Sequence, residues 1–441
     1  MGSVELEKLR YLRDLEVGGK FDVIVAGSGP AGLAAAISSA RMGMKTALLE
    51  RYGVLGGNLT SGLVGPIMGS VSEGTIADEF EKELGVYRNW CMHDVEKAKK
   101  LFPEMAQKAG VKVFLQTPVV DVLKDGKFIQ GLVVATKSEP KVFQGKIYID
   151  ATGDGTVSYL AGAECMFGRE TDSLVQPATL MFIISNVDDS RVIDCGKENY
   201  PEGTPESRFV ELCRQKSEEG ELPKNVSIVR LYKTFRKGER MINATQANGI
   251  NPLRAEDLIR AEVDLRKQID QVVTFLRKYA PGCENCCLKD SASTLGIRES
   301  RRVKGMYTLD SEDLMNGRKY KNVMVHNASF VIDIHNPAGG GQAENQGLKT
   351  PIGAPASVQP YDIPYGCFVP LGVENLYTAG RCISGTHRAL ASYRVMKICL
   401  AMGQAVGTAA AVCVDREKSP STLDATLVQT ALISQGVHLF D

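Results

Sequence analysis

Neither sign of charge prevails in this chain: 52 Lys and Arg stand against 52 Asp and Glu. A formal net charge of zero excludes a global pull towards nucleic acid or an anionic membrane, although a local basic groove stays compatible with it. No run of ~18 uninterrupted apolar residues stands out, so no membrane-spanning helix is expected. The opening MGSVELEKLRYLRDLEVGGK lacks a cationic stretch followed by an apolar one, which argues against an ordinary secretory signal. Eleven cysteines, an odd number scattered along the chain, then read as reduced thiols, and the cytoplasm is the expected compartment. Histidine is scarce, with 5 residues, which shortens the roll of proton-transfer groups.

What is present describes a globular chain: 441 residues, 44% hydrophobic and 24% charged, enough for about three domain-sized units. Glycine is abundant, 44 residues, and clusters where backbone must come close to a ligand. Phe21–Ala26 (FDVIVA) reads as a buried strand, followed at once by Gly27-Ser28-Gly29-Pro30-Ala31-Gly32, a helix from Leu33 to about Met42, and a second strand Lys45–Glu50. That is a βαβ unit. The charged leader before it is expected to form a short helix. From Val111 to Thr152, the segments VKVFL, TPVVDVLKDGKFIQGLVVATK and VFQGKIYIDAT are extended, and Asp125-Gly126 is a hairpin signal. They predict a β-meander that returns the chain to the parallel sheet at Ile147–Ala151.

The texture changes over residues 164–308. Strand-like pieces, Ala178–Ser185 and Val226–Tyr232, accompany a long helix whose apolar residues Leu258, Ala261, Leu265, Ile269, Val272 and Leu276 step by three and four. This predicts an α+β lobe inserted into an α/β domain made of residues 1–163 and 309–441. The returning part offers Asn322–Val325, a Gly/Pro/Asn-rich loop His335–Gln359, a strand Asn375–Ala379 and one terminal helix from about Tyr393 to Val414.

Gly27-x-Gly29-x-x-Gly32 between a strand and a helix, with Glu50 ending the next strand, is the spacing of a dinucleotide site. Gly27 permits the turn, Gly29 leaves room for a pyrophosphate, Gly32 allows close helix–strand packing, and Glu50 can accept from a ribose. Pro30 and Ala31 open the helix, whose free N–H groups face the phosphates. The fingerprint alone does not separate FAD from NAD.

Further stretches make that choice. Arg51–Gly62 (RYGVLGGNLTSG), Ile149–Gly155 (IDATGDG), Leu295–Val303 (LGIRESRRV), Ile332–Asn336 (IDIHN), Ile363–Pro370 (IPYGCFVP) and Ala379–Ala411, beginning AGRCISGTHRALASYRV, span most of the chain. Together they resemble flavoproteins with the glutathione-reductase-type FAD fold, more narrowly the bacterial FAD-dependent oxidoreductases with an inserted substrate lobe. The resemblance implies a Rossmann-like FAD-binding domain of parallel sheet plus β-meander, with an inserted α+β substrate domain. It implies FAD contacts from Arg51, Gly56, Gly57, Asn58, Thr60 and Ser61, from the backbone of Val119 at the adenine, and from Thr152 and Gly153 near the pyrophosphate. Gly380 and Arg381 stand where many relatives have Gly-Asp, so Arg381 offers a phosphate partner in place of an acid. Ser392–Lys397 is the expected flavin-facing end of the terminal helix.

Candidate catalytic groups are His335 with Asp333 as orienter, His387, and the arginines Arg298, Arg301, Arg302, Arg388 and Arg394, each able to fork onto a substrate carboxylate or to close an internal salt bridge. If GIRESRR is a strand, Arg298 and Arg302 share one face. Tyr365 and Cys367 could line the flavin or pack in the core. Cys283-x-x-Cys286-Cys287 lacks a second nearby pair to complete a zinc set, so no metal is expected. No second nucleotide fingerprint is visible; Gly339-Gly340-Gly341 lies in a loop. Electrons therefore pass to or from a small-molecule substrate, a transiently bound NAD(P)H or a redox partner, with nucleic acid and membrane not expected and an oligomer left open. The expected activity is hydride exchange between flavin N5 and a small polar or anionic substrate between the lobes. A flavoprotein acting on RNA and a non-catalytic binding protein are the alternatives.

Overall fold

The computed structural model describes residues 12–86, 92–196, 200–340 and 356–440. The leader up to residue 11 and most of the glycine-rich loop, residues 341–355, lie outside them.

Strand β1 (Glu16–Ala26) runs into helix α1 (Pro30–Arg41) and strand β2 (Thr46–Leu49). Helices α2 (Ile76–Leu84) and α3 (Val95–Lys108) follow, then β3 (Lys112–Phe114), β4 (Val119–Asp125), β5 (Phe128–Val134) and β6 (Lys141–Asp150). These strands form one sheet in the order β3-β2-β1-β6-β5-β4. VKVFL is thus not a meander strand: β3 pairs parallel with β2 at the sheet's edge. The meander proper is β4-β5-β6, antiparallel, with Gly126 at φ 55 in the hairpin that Asp125-Gly126 predicts. Strand β6 is long enough for two tasks. Its first half pairs β5, and its second half lies parallel between β1 and the returning strand β15 (Leu376–Thr378).

After the short helix α4 (Thr156–Leu160), β7 (Cys165–Phe167) pairs antiparallel with β12 (Arg301–Val303), so the chain leaves and re-enters the inserted lobe side by side. Between them, β8 (Phe182–Ser185), β9 (Arg230–Lys233), β10 (Arg240–Asn243) and β11 (Cys287–Ser291) make an antiparallel sheet ordered β11-β8-β10-β9. Helices α5 (Pro205–Glu218) and α6 (Ala255–Tyr279) pack on it. On α6 the residues Ala261, Leu265, Ile269, Val272 and Leu276 are buried and Leu258 is half-buried, which is the face the periodicity predicts. This lobe has its own apolar core, joined by Leu63, Met92 and Val95 from the first part of the chain.

The return differs from expectation in two places. Beyond α7 (Ser311–Met315), β13 (Val323–Ala328) does not join the main sheet; it pairs with β14 (Tyr361–Pro364) in a separate ribbon, and β15 alone completes the sheet. The terminal helix is two: α8 (His387–Tyr393) and α9 (Met396–Arg416), broken where Val395 is extended at φ −74, ψ 157. A further helix, α10 (Ala425–Ser434), packs on α9. By length and composition α9 could cross a membrane, but it is the buried core helix of this molecule. Gly403 and Gly407 let it lie on α1: a Cβ at Gly403 would fall 2.1 Å from Ala31 O, and one at Gly407 2.3 Å from Ala35 O.

Candidate dinucleotide and substrate site

Register places the site. Ala26 aligns with Leu49 on one side and Asp150 on the other, and Asp150 aligns with Thr378. The four parallel strands therefore end together, and Gly27, Glu50, Ala151 and Ala379 all emerge at one carboxyl edge, where open α/β sheets bind ligands. A cavity runs along that edge. Its lining extends from Thr117, Pro118 and Val119 through the glycine turn to Arg394, Met396 and Cys399.

Each fingerprint glycine has a distinct physical reason. Gly27 sits at φ 93, and a Cβ there would approach Ala151 O to 2.5 Å. Gly32 touches the turn so closely that a Cβ would fall 1.8 Å from Gly27 O. Gly29 is the exception: a Cβ there would meet nothing within 4 Å, in an ordinary extended conformation (φ −60, ψ 178). Gly29 is the N-cap of α1, no side chain caps that helix end, and Pro30 follows, so free amides and the positive end of the dipole face open space. A cradle with room over Gly29, at a helix N-terminus that no side chain caps, fits a pyrophosphate. Ala31, Arg51, Gly57, Asn58, Thr152, Gly153, Gly380 and Arg381 line the same cavity.

Glu50 also lines it, but braces the turn as well: Oε2 accepts from Ser28 N at 2.7 Å and Ser28 Oγ at 2.5 Å, and Oε1 accepts from Tyr52 N at 2.8 Å. Gly56 lies behind the lining at φ 107, its N–H bonded to Ser28 O, and Ser61 faces the inserted lobe, its carbonyl accepting from Ser293 N. Thr152 Oγ1 donates to Asp150 Oδ1 at 2.7 Å, and Asp150 is wholly buried.

Asp154, which the sequence did not single out, organises the middle of the cavity. Arg381 Nη2 donates to its Oδ1 at 2.6 Å, Ser300 Oγ donates to the same oxygen at 2.8 Å, and Arg51 Nη1 lies 3.4 Å from Oδ2. Burial would raise this carboxyl's pKa, but Arg381 and Arg51 hold it below the usual carboxylate range. Arg381 Nη1 is buried with no partner among the described residues, a donor left over in the lining of this cavity.

At the far end the two lobes meet. Arg394, in the α8–α9 break, lines the cavity and donates through Nη2 to Asp333 O at 2.9 Å, with Asp333 Oδ2 at 3.6 Å. His335 Nε2 lies 3.4 Å from that carboxylate, and His335 N donates to Gln176 Oε1. From the inserted lobe Arg230, Tyr232 and Arg298 bring their fields to the same cluster. Burial and the neighbouring Arg298 charge push His335 down to about 3, so its imidazole is neutral at physiological pH. Burial works the other way on Asp333, yet His335, Arg394 and Arg230 hold it ionised well below the usual range. Burial and the like charge of Arg394 lower Arg298 to about 9.

His387 lies in a neighbouring buried group instead. Its Nδ1 is 2.8 Å from Glu299 Oε2, and Arg302 also pairs with Glu299 while donating to Gly385 O and Gly168 O. GIRESRR is a strand only from Arg301, so the two-residue alternation does not extend to Arg298: Arg298 donates to Pro177 O and feels the Asp333 charge, whereas Arg302 pairs with Glu299. Tyr365 packs in the core, its hydroxyl 2.6 Å from that of Tyr377, and Cys367 is fully buried. Cys283 and Cys286 are free and buried, and among the described residues no three His, Cys, Asp or Glu side chains converge in a metal-holding group.

The structure is similar to a geranylgeranyl bacteriochlorophyll reductase-like protein from Thermoplasma acidophilum, with a TM-score of 0.50 at 12% identity over 95% of this chain and 85% of that one, a likeness of fold alone. In sequence the chain is 30% identical over 158 residues to a thiamine thiazole synthase of Thermococcus kodakarensis, covering 33% of this chain and 62% of that protein. It is 29% identical over 205 residues to that of Methanothermobacter thermautotrophicus, covering 43% and 78%. The matched stretch thus spans about three-fifths of the first relative's length. The profile of the FAD dependent oxidoreductase family matches residues 22–432, nearly end to end, and with a dinucleotide cavity to account for, the chain belongs to that family of FAD enzymes.

Proposed function

We propose that this FAD enzyme exchanges a hydride with a small polar or anionic organic substrate held between the two lobes. The observation that carries the reading is Arg394: one side chain lines the dinucleotide cavity and bonds Asp333 in the interlobe cluster, so cofactor and cluster are contiguous. Gly29, the α1 amides, Glu50 and Arg381 would hold the FAD, and the start of α9 at Met396, which no side chain caps, would face its ring. Bound there, the flavin supplies the hydride chemistry and the protein must supply orientation and proton transfer. Neutral His335, beside ionised Asp333, can take a proton at an imidazole nitrogen, and a protonated His335 can return it. Arg298 and Arg394 fix an anionic group of the substrate, and the inserted lobe covers the cluster from one side.

The test is anaerobic. The bound flavin is photoreduced and a panel of metabolites is screened for those that restore its absorbance, then oxidised flavin is screened for those that bleach it. A protein that retains FAD yet responds to no metabolite in either direction argues for the non-catalytic alternative. The likeness to thiamine thiazole synthases supplies a second reading, thiazole formation, which a thiazole product detected by mass spectrometry would support.

A further inference from the structure

Two arginines of the same short segment have opposite fates. Arg302 is 1% exposed and fully engaged, with Glu299 as counter-charge and two carbonyls as acceptors. Arg298 is half-buried at the lobe interface, and among the described residues it has a single hydrogen bond, Nη1 to Pro177 O at 2.7 Å, and no ion pair. A guanidinium has five N–H donors, so most of those on Arg298 remain available to solvent or to a ligand.

The surroundings say what. Arg394 is near enough to disfavour the charge on Arg298, and Arg230 adds to the same field. The carboxylate facing both Arg298 and Arg394 is Asp333; Glu299, the next acid near Arg394, is matched by Arg302. Among the described residues, Arg230, Arg298 and Arg394 share that one carboxylate, so positive charge is in excess there. The cluster is not packed solid either: the Asp333 side chain keeps 18% of its surface accessible and Arg394 11%. A planar monoanion suits a fork of N–H donors and removes the excess charge.

Resting on the activity proposed above, we infer that the substrate is a small carboxylic acid whose carboxylate is received by Arg298 and Arg394, next to His335 and against the FAD cavity. Arg298 contributes the unpaired charge. Arg394 orients the acid relative to the cofactor, and Asp333, already bonded to Arg394, keeps that guanidinium in place.

The experiment titrates acetate, propionate and lactate into FAD-loaded protein at constant ionic strength, followed by calorimetry and by the flavin difference spectrum, with chloride and inorganic phosphate as comparison anions. At least one carboxylate is expected to bind saturably and more tightly than either comparison anion. Arg298→Met is expected to weaken that binding tenfold or more at unchanged FAD content, and Arg298→Lys to recover part of it. Without carboxylate, R298M should melt no lower than the parent, because the charge it removes has no counter-ion. The inference is overturned if R298M binds carboxylates as the parent does, if phosphate or chloride binds equally well, or if R298M melts several degrees lower without ligand. Calorimetry needs no turnover, so an inactive protein that binds carboxylate through Arg298 would sink the hydride reading and keep the site.

Discussion

Replacing Gly29 by alanine separates the ligand's demands from the fold's. The residue sits at φ −60, ψ 178, which alanine adopts without strain, and the added methyl would meet nothing within 4 Å. Folding gives no reason for glycine here, so stability should hold or rise by ~0.4–1 kcal/mol through the stiffer unfolded chain. The methyl would stand in the cradle over the α1 N-terminus, where the pyrophosphate must approach the amides. Losing one or two charge-assisted hydrogen bonds at ~1.5–3 kcal/mol each weakens FAD by about tenfold at the least and about 10⁴-fold at the most. The assay is a fluorescence titration of apoprotein with FAD, run beside a thermal melt. Gly32→Ala is the counterpart: its Cβ would lie 1.8 Å from Gly27 O, so the apoprotein itself should melt lower. If G29A binds FAD as tightly as the parent, or its apoprotein loses several degrees, the pyrophosphate does not lie where the turn implies.

Gly403→Ala would drive a methyl to 2.1 Å from Ala31 O and 2.7 Å from Ala34 Cβ, forcing α9 off α1. Overpacking of this kind costs ~1–3 kcal/mol, read as a lower melting point with faster FAD loss, and an unchanged melt would contradict the contact. Glu299→Gln leaves Arg302, 1% exposed, without its counter-charge. A loss of ~3–5 kcal/mol is expected in a denaturant titration, whereas a loss under ~1 kcal/mol would mean another group compensates. Asp154 is held below its ordinary pKa by Arg381 and Arg51, against burial. Its stabilisation is therefore complete above the unfolded value of ~3.9 and disappears as pH falls through the lower folded value. The melting difference between the parent and Asp154→Asn should stay level from about pH 8 to 5 and narrow below ~4.

The sequence by itself determined whatever depends on near neighbours: the Gly27–Gly32 turn with Glu50 after β2, the Asp125-Gly126 hairpin, and the α6 face from Ala261 to Leu276. A backbone dihedral, a turn or a helical stripe is set within a few residues, so spacing reveals it. Only the tertiary structure decided that β13 would leave the sheet for β14 and that α8 and α9 would part at Arg394, whose guanidinium is drawn to Asp333. The same holds for Asp154, clasped by Arg51 and Arg381, and for the divergence of Arg298 from Arg302. Whether a buried charge is matched depends on which distant strands deliver its partners, and residue spacing carries no record of that.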